Sequence, residues 1–207
     1  MESEEKNKTT NIGVIILAAG NSSRLGRPKQ LLSYNGRTLL QHSLQIAGAS
    51  NANPIVVVLG ADADIIKREI NGVYVHVVQN EDWQEGMASS IRCGINAFRQ
   101  ITPNAEGVIV MVCDQPYITA SLLNELITAH QKTGKPIVAC SYENTFGPPV
   151  FFHHTFFDEL LKLKGDVGAK NIIHQHADAV ELISFPEGTY EVDTEADYER
   201  IKSIGNQ

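Results

Sequence analysis

Between Lys6 and Ala61 the chain has no aspartate or glutamate, although the whole molecule carries a formal charge of −7. Within that gap sit Lys6, Lys8, Arg24, Arg27, Lys29 and Arg37. A cationic, acid-free stretch inside an acidic protein points to a local anion site. Other shortages exclude whole classes. The negative balance argues against a nucleic-acid partner, which needs a basic face. Only Cys93, Cys113 and Cys140 carry thiols, with no CxxC spacing and with apolar neighbours. Buried free thiols in a reducing cytoplasm are expected, rather than ligands or disulfides. No apolar run reaches the length of a membrane span, so no membrane partner is expected. Residues 1–10 are polar and lack an apolar core, which argues against a secretory signal and for a disordered tail. No repeat, linker or composition shift divides the rest, so residues 11–207 read as one domain with a core that needs no staples.

What is present begins with an apolar run, Ile12 to Ala18, that reads as a buried strand. It breaks at Ala19-Gly20 into small and polar residues holding Arg24, Arg27 and Lys29. Strand-to-glycine-loop geometry brings backbone N–H groups close to a ligand and keeps bulky side chains out of a phosphate's way. It is neither of the two commonest nucleotide loops. Gly20 and Gly26 are too far apart for a P-loop, and Arg27-Pro28 separates Gly26 from Lys29. A Gly-x-Gly-x-x-Gly is also missing. Pro28 has no N–H and biases Arg27 away from helix, so the loop is expected to run through it. A phosphate cradle and a surface loop with solvated cations both stay open on these residues alone.

Further along, Leu39, Leu40, Leu44 and Ala47 recur at helical spacing within Thr38 to Ala49. Ile55 to Leu59 suits a parallel strand covered on both faces. A short helix is expected over Asp62 to Ile70, and a strand over Val73 to Val78. Met87 to Ile101 reads as a helix with Ser89-Ser90 in its first turn. Those serines either simply start the helix or, with free N–H groups, meet an anion or a base edge, and Arg92 beside them suits either reading. Val108 to Cys113 is fully apolar and reads as a central strand. Asp114 stands at its carboxyl end, where open α/β sheets collect ligands. With Gln115-Pro116 following, it is either an oxygen donor to a hard cation or a turn cap. A helix over Thr119 to Thr133 and a strand over Ile137 to Cys140 follow. Gly147-Pro148-Pro149 reads as a rigid turn before an edge strand in the segment Asn144 to Phe152. His153-His154 opens an amphipathic helix to Leu163, the two rings facing different sides. Asp166 is the expected cap of the next helix, with a substrate role as the alternative. His174 and His176 read as solvated, and Val180 to Phe185 as a late strand. Thr194 with Asp197 reads as a capping-box variant, which leaves the Asp193 carboxylate free. The alternation over residues 12–140 argues a three-layer α/β/α architecture with a mostly parallel sheet.

Leu17-Ala18-Ala19-Gly20-x-Ser22-Ser23-Arg24-Leu25-Gly26-x-x-Lys29-x-Leu31-Leu32 resembles the signature loop of the MobA-like nucleotidyltransferases. Within that family the chain is most similar to the molybdenum cofactor cytidylyltransferases. Asn80-x-x-Trp83-x-x-Gly86-Met87-Ala88-Ser89-Ser90-Ile91, Cys113-Asp114-Gln115-Pro116, Gly147-Pro148-Pro149-Val150, Gly165-Asp166-x-Gly168-Ala169 and Val192-Asp193-Thr194 resemble family motifs in the family's order. The resemblance implies a Rossmann-like nucleotidyltransferase fold and transfer of CMP from CTP to the phosphate of molybdopterin or the molybdenum cofactor, with release of pyrophosphate. It implies nucleotide contacts from Leu17, Ala18, Ala19, Gly20, Arg24, Lys29, Asn80, Gly86, Ser90 and Asp114. Arg24, Lys29 and Asp114 would be catalytic, and Asp114 with Asp193 would hold Mg²⁺ or Mn²⁺. Gly147, Pro148 and Asp166 would face the second substrate. Ala19, where guanylyl-transferring members have glycine, favours CTP over GTP. The alternatives are a sugar or polyol phosphate acceptor, or a non-catalytic carrier that delivers the cofactor to a molybdoenzyme. Delivery to a molybdoenzyme is also compatible with catalysis.

Overall fold

A computed structural model describes residues 11–72, 74–143 and 145–205. The expected tail at 1–10 lies outside them, as do Val73 and Asn144, where a strand and a segment were expected to begin. The apolar run Ile12–Ala18 forms β1, buried along its whole length. A short hairpin follows, β2 (Ser33–Tyr34) with β3 (Arg37–Thr38), and leads into α1 (Leu39–Ala49). Thr38 caps α1 through a capping box with Gln41, both bonds 3.1 Å long. Next come β4 (Ile55–Leu59), α2 (Ala63–Ile66), β5 (His76–Gln79), α3 (Met87–Ile101), β6 (Gly107–Val112) and α4 (Ala120–Thr133). The chain closes with β7 (Ile137–Tyr142), β8 (Thr145–His153), α5 (Phe157–Leu160), α6 (Lys170–Gln175), β9 (Val180–Ser184) and α7 (Glu195–Gly205).

The main sheet has seven strands in the order β5-β4-β1-β6-β8-β7-β9. All run parallel except β8, which is antiparallel to both neighbours. Side chains of a strand alternate between faces. Val14, Ile16 and Ala18 therefore join the core under α1, α2 and α4, while Ile15 and Leu17 join the one under α3, α5 and α6. Helices cover both faces, which is why the central strands read as unbroken apolar runs. This is the expected three-layer α/β/α Rossmann-like arrangement. A third, smaller cluster packs Val192, Tyr198 and Ile201 against Leu32, Tyr34 and Leu39, seating α7 on the β2–β3 hairpin.

Four local expectations are corrected. The β8 strand is interior rather than an edge, since Val110 pairs with Val150 on one side and Ala139 with Val150 on the other. Pro148 and Pro149 donate no N–H, and they sit where the β7–β8 register slips, between Ala139 opposite Val150 and Cys140 opposite Gly147. The prolines thus form an irregularity inside a strand, not a turn. After β8 the helix is short: a single 3₁₀ turn precedes α5, which ends at Leu160. His176 is not free in solvent, because its Nε2 sits 3.0 Å from Glu159 Oε2.

Gly13 marks the tightest packing of β1. A Cβ there would lie 2.6 Å from the Pro54 carbonyl and 2.9 Å from Phe98 Cζ. The carbonyl also accepts the Val14 N–H at 2.9 Å, so it cannot retreat without breaking a sheet contact. Gly13→Ala is expected to cost about 1–3 kcal/mol of unfolding free energy by urea denaturation, the usual cost of overpacking.

Candidate active site

A cavity of about 440 Å³ opens at the carboxyl ends of β1 and β6. Its floor is the strand-to-loop turn Leu17–Asn21. Gln30, fully buried, donates from Nε2 to the carbonyls of Ala18 (2.8 Å) and Gly20 (2.9 Å). Ala61 N–H donates to the Ala19 carbonyl at 3.1 Å. In a trans peptide the N–H points opposite to the carbonyl. Tying these three oxygens inward therefore turns the N–H groups of Ala19, Gly20 and Asn21 the other way. The chain behaves as an oriented amide cradle of the kind that suits phosphate oxygens.

Lys29 enters the same cavity from the 3₁₀ turn that follows Pro28. Its ammonium donates to Asp114 Oδ2 and, at 2.8 Å, to Asp193 Oδ1. Burial opposes the charge, but the neighbouring Asp114 charge and the bonds to both carboxylates outweigh it and hold the pKa above the ordinary lysine value. Asp114 sits at the end of β6. Asp193 reaches it because Val192, fully buried, donates its N–H to the Asp114 carbonyl at 3.0 Å. Gln115 secures the same segment from the other side, donating to the Gly188 carbonyl and to Glu191 Oε1, both at 3.1 Å. The remaining loop cations also meet acids from the end of the chain. Arg24, largely exposed, lies 3.3 Å from Asp193 Oδ2. Arg27 grips Glu195 with bonds of 2.7 and 2.9 Å and lies over the Tyr198 ring.

Asp114 Oδ1 is buried and has no hydrogen-bond partner. An orphaned carboxylate oxygen beside a second carboxylate fits a hard divalent cation, which takes one or two protein carboxylates and completes its shell with substrate phosphates and water. Among the described residues there is no cluster of three or more His, Cys, Asp or Glu side chains that could hold a metal alone. The donor set therefore suits an ion that arrives with phosphate, not a permanent structural metal.

The opposite wall is the start of α3. Gly86 has φ +113°, open to glycine, and a Cβ there would lie 2.7 Å from Asp166 Cα. That proximity is used. Met87 N–H donates to Asp166 Oδ1 at 3.4 Å, and Ala88 N–H donates to the Gly165 carbonyl at 3.1 Å. Asp166 thus caps α3 and not the helix that follows it, whose own start has no side-chain cap. The first two N–H groups of α3, those of Met87 and Ala88, are thereby taken. Arg92 is equally diverted: it donates to both oxygens of Glu85 (2.8 and 2.6 Å) and to the Leu163 carbonyl at 2.7 Å. Hydrogen bonds from Arg92, then from the Gly165 N–H, hold the Glu85 pKa down at about 2. Asn80 lies buried behind the wall and donates to Ser89 Oγ at 2.8 Å and Ser90 Oγ at 3.0 Å. Only Ser90 of these three lines the cavity.

A second cavity of about 300 Å³ adjoins the first and shares Leu17, Met87, Val112, Asp114 and Asp166 with it. Gly147, Pro148, Tyr142, Lys170 and Glu191 also line it. Burial, then the nearby Glu191 charge, pushes the Tyr142 phenol up to about 12, so it stays protonated. The structure therefore gathers Leu17, Ala18, Ala19, Gly20, Lys29, Gly86, Ser90, Asp114 and Asp166 around one cavity, and Gly147, Pro148 and Asp166 around its neighbour. Arg24 and Asn80 lie outside both, and Asp193 is reached through Lys29. Sequence reasoning assigned no role of its own to Gln30, Glu85, Gln115 or Tyr142. Gln30 carried a usable signal: an amide among apolar residues in a segment that packs inward has to find backbone partners.

The family model for the MobA-like NTP transferase domain matches residues 14–180. The nicotine blue oxidoreductase of Paenarthrobacter nicotinovorans is 33% identical over 82% of this chain and 84% of its own length. The crystal structure of Rv0371c from Mycobacterium tuberculosis H37Rv superposes with a TM-score of 0.79 at 32% identity, covering 94% of this chain and 98% of that one. A manganese complex of Rv0371C gives 0.75 at 30% identity, over 94% of this chain and 99% of that one.

Removing the lysine leaves two carboxylates facing each other, with only the exposed Arg24 guanidinium beside Asp193. Lys29→Met is expected to lower unfolding free energy by about 3 kcal/mol, as breaking a buried pair does. Millimolar Mg²⁺ or Mn²⁺ should recover part of that loss in the variant and change the parent little. Urea denaturation with and without the ion checks both.

Proposed function

The chain belongs to the MobA-like NTP transferase family, and on that footing we propose that it transfers CMP from CTP to the phosphate of molybdopterin or the molybdenum cofactor, releasing pyrophosphate. The observation that carries this reading is the meeting of the two cavities at Asp114 and Asp166. One cavity has an amide cradle and a lysine suited to a triphosphate, and the other is a largely apolar slot suited to an acceptor. A bond between their ligands would form at the shared wall.

The donor sits on the N–H groups of Ala19, Gly20 and Asn21. An oxygen of the acceptor phosphate attacks the α-phosphorus as the bond to the pyrophosphate oxygen breaks. That oxygen is already ionised near neutral pH, so no side chain needs to remove a proton. The protein's tasks are positioning and charge neutralisation. Lys29 exchanges carboxylate for phosphate oxygens, and Arg24, held loosely at the rim, adds a second cation. Asp193 and Asp114 would hold Mg²⁺ or Mn²⁺, which supplies positive charge to the phosphate oxygens. The manganese complex of the Rv0371C protein supports a divalent ion. Gly86 and Ser90 face the base and ribose, with Asn80 fixing the serine hydroxyl from behind. Gly147, Pro148 and Asp166 shape the acceptor side. Ala19 favours CTP over GTP. Unpaired Cys113 and Cys140, both buried, suit a reducing cytoplasm, and the product suits delivery to a molybdoenzyme.

The name of the Paenarthrobacter nicotinovorans relative supports a second reading, in which the chain is an oxidoreductase. Pyrophosphate release from each of the four NTPs, with Mg²⁺ and with or without molybdopterin or its molybdenum form, separates the readings. Release that requires the pterin and prefers CTP is expected, and Asp114→Ala should reduce it by on the order of 100-fold or more. A preference for GTP would overturn the base assignment, and release only with a sugar or polyol phosphate would overturn the acceptor. Tight pterin binding with no release from any NTP would favour a carrier. NADH or NADPH consumption without pyrophosphate would favour the oxidoreductase.

A further inference from the structure

Most cationic groups around the two cavities already have a partner. Lys29 is on Asp114 and Asp193, Arg24 on Asp193, Arg27 on Glu195 and Arg92 on Glu85. Lys170 is different. It is the first residue of α6, is exposed, and lines the second cavity. Its Cε reaches across to β8, 3.7 Å from where a Cβ on Gly147 would be. Among the described residues its ammonium makes no ion pair within 4.0 Å and no hydrogen bond.

The charges that share this cavity sharpen the point. Asp114, Asp166 and Glu191 line it as well. Asp114 is bonded to Lys29, Asp166 to the Met87 N–H, and Glu191 to Gln115. Three acids on one small cavity repel an incoming anion, and the single uncommitted charge facing it is cationic. Apart from the Tyr142 phenol, the side chains that complete the wall are apolar, among them Pro148, Val150, Phe152, Ile173 and Met87. A polyhydroxylated body would leave its hydroxyls unpaired against that surface, at the usual cost of burying polar groups without partners. A flat ring system would cover it with apolar area.

We infer that Lys170 is the specificity-determining anchor of the second cavity, pairing with the phosphate of an acceptor that is a phosphomonoester on a largely planar heterocycle. This deepens the proposed acceptor reading and rests on it. Lys170 approaches as a flexible point charge rather than a bidentate fork, so arginine should serve almost as well. Removing the charge should remove the preference for a phosphorylated ligand.

The test measures binding of molybdopterin, and of the same pterin with its phosphate removed, to the full chain without nucleotide. The parent, Lys170→Gln and Lys170→Arg are compared, with Mn²⁺-dependent CTP binding as a control on the fold. Loss of a charge-assisted contact predicts roughly tenfold or more weaker molybdopterin binding in Lys170→Gln. It also predicts little discrimination against the dephosphorylated pterin, near-parent behaviour in Lys170→Arg and CTP binding within about twofold of the parent. Equal binding of molybdopterin to the parent and Lys170→Gln would overturn the inference and leave the acceptor reading intact. If the parent binds no pterin at all, the acceptor reading fails and inorganic phosphate decides the inference. Protection of Lys170 from acetylation by phosphate, mapped by mass spectrometry with CTP bound, would sustain it for another phosphomonoester, and no protection would overturn it.

Discussion

The Lys29 ammonium, held between Asp114 and Asp193, is the interaction on which the site depends. It joins three segments distant in sequence: the loop after β1, the end of β6 and the strap before α7. Each partner is also pinned by its own backbone. Lys29 N–H donates to Ser22 Oγ at 2.9 Å, and Val192 N–H donates to the Asp114 carbonyl. The charges are therefore brought together by the fold and do not have to assemble it. Isolated surface ion pairs contribute little, but this one is mostly shielded from solvent and its geometry is over-determined, so its removal is felt.

The reversal of β8 serves the other half of the site. Every other strand of the main sheet points its carboxyl end at the cavities, whereas β8 presents its beginning there. Gly147 and Pro148 consequently line the second cavity together with Asp114, while Phe151, further along the strand, is buried in the core. Glycine at 147 is required by the Tyr142 hydroxyl, which occupies the space a side chain would take. Gly188 accommodates the same ring from behind: a Cβ there would be 2.8 Å from Tyr142 Cε1. One aromatic wall of the second cavity is thus seated by glycines from two different segments.

Much of this was legible from the chain alone, for definite reasons. Apolar runs such as Ile12 to Ala18 and Ile55 to Leu59 suit strands buried on both faces, and an aspartate immediately after such a run stands at the carboxyl end of the sheet, where ligands gather. The acid-free opening was equally informative, since its cations had to find acids elsewhere, and Asp193 and Glu195 supply them. What stayed hidden depends on contacts between segments distant in sequence. No local pattern says that Asp166 caps α3 rather than its own helix, that Arg92 turns to Glu85, or that a strand containing Pro148-Pro149 lies inside the sheet. In the last case the register slip between β7 and β8 absorbs the missing donors, and a slip is a property of two strands together.

Asp166 has a role on each side of the shared wall. One carboxylate oxygen closes the start of α3, the helix that carries Ser90 into the first cavity, and the residue also faces the second cavity. A ligand that draws this side chain toward one cavity must loosen or tighten its hold on the helix bordering the other. Thermodynamic linkage makes that influence reciprocal: whatever free energy the acceptor contributes to the donor's affinity, the donor returns to the acceptor. A single capping aspartate that faces both cavities would in this sense couple whatever ligands the two of them hold.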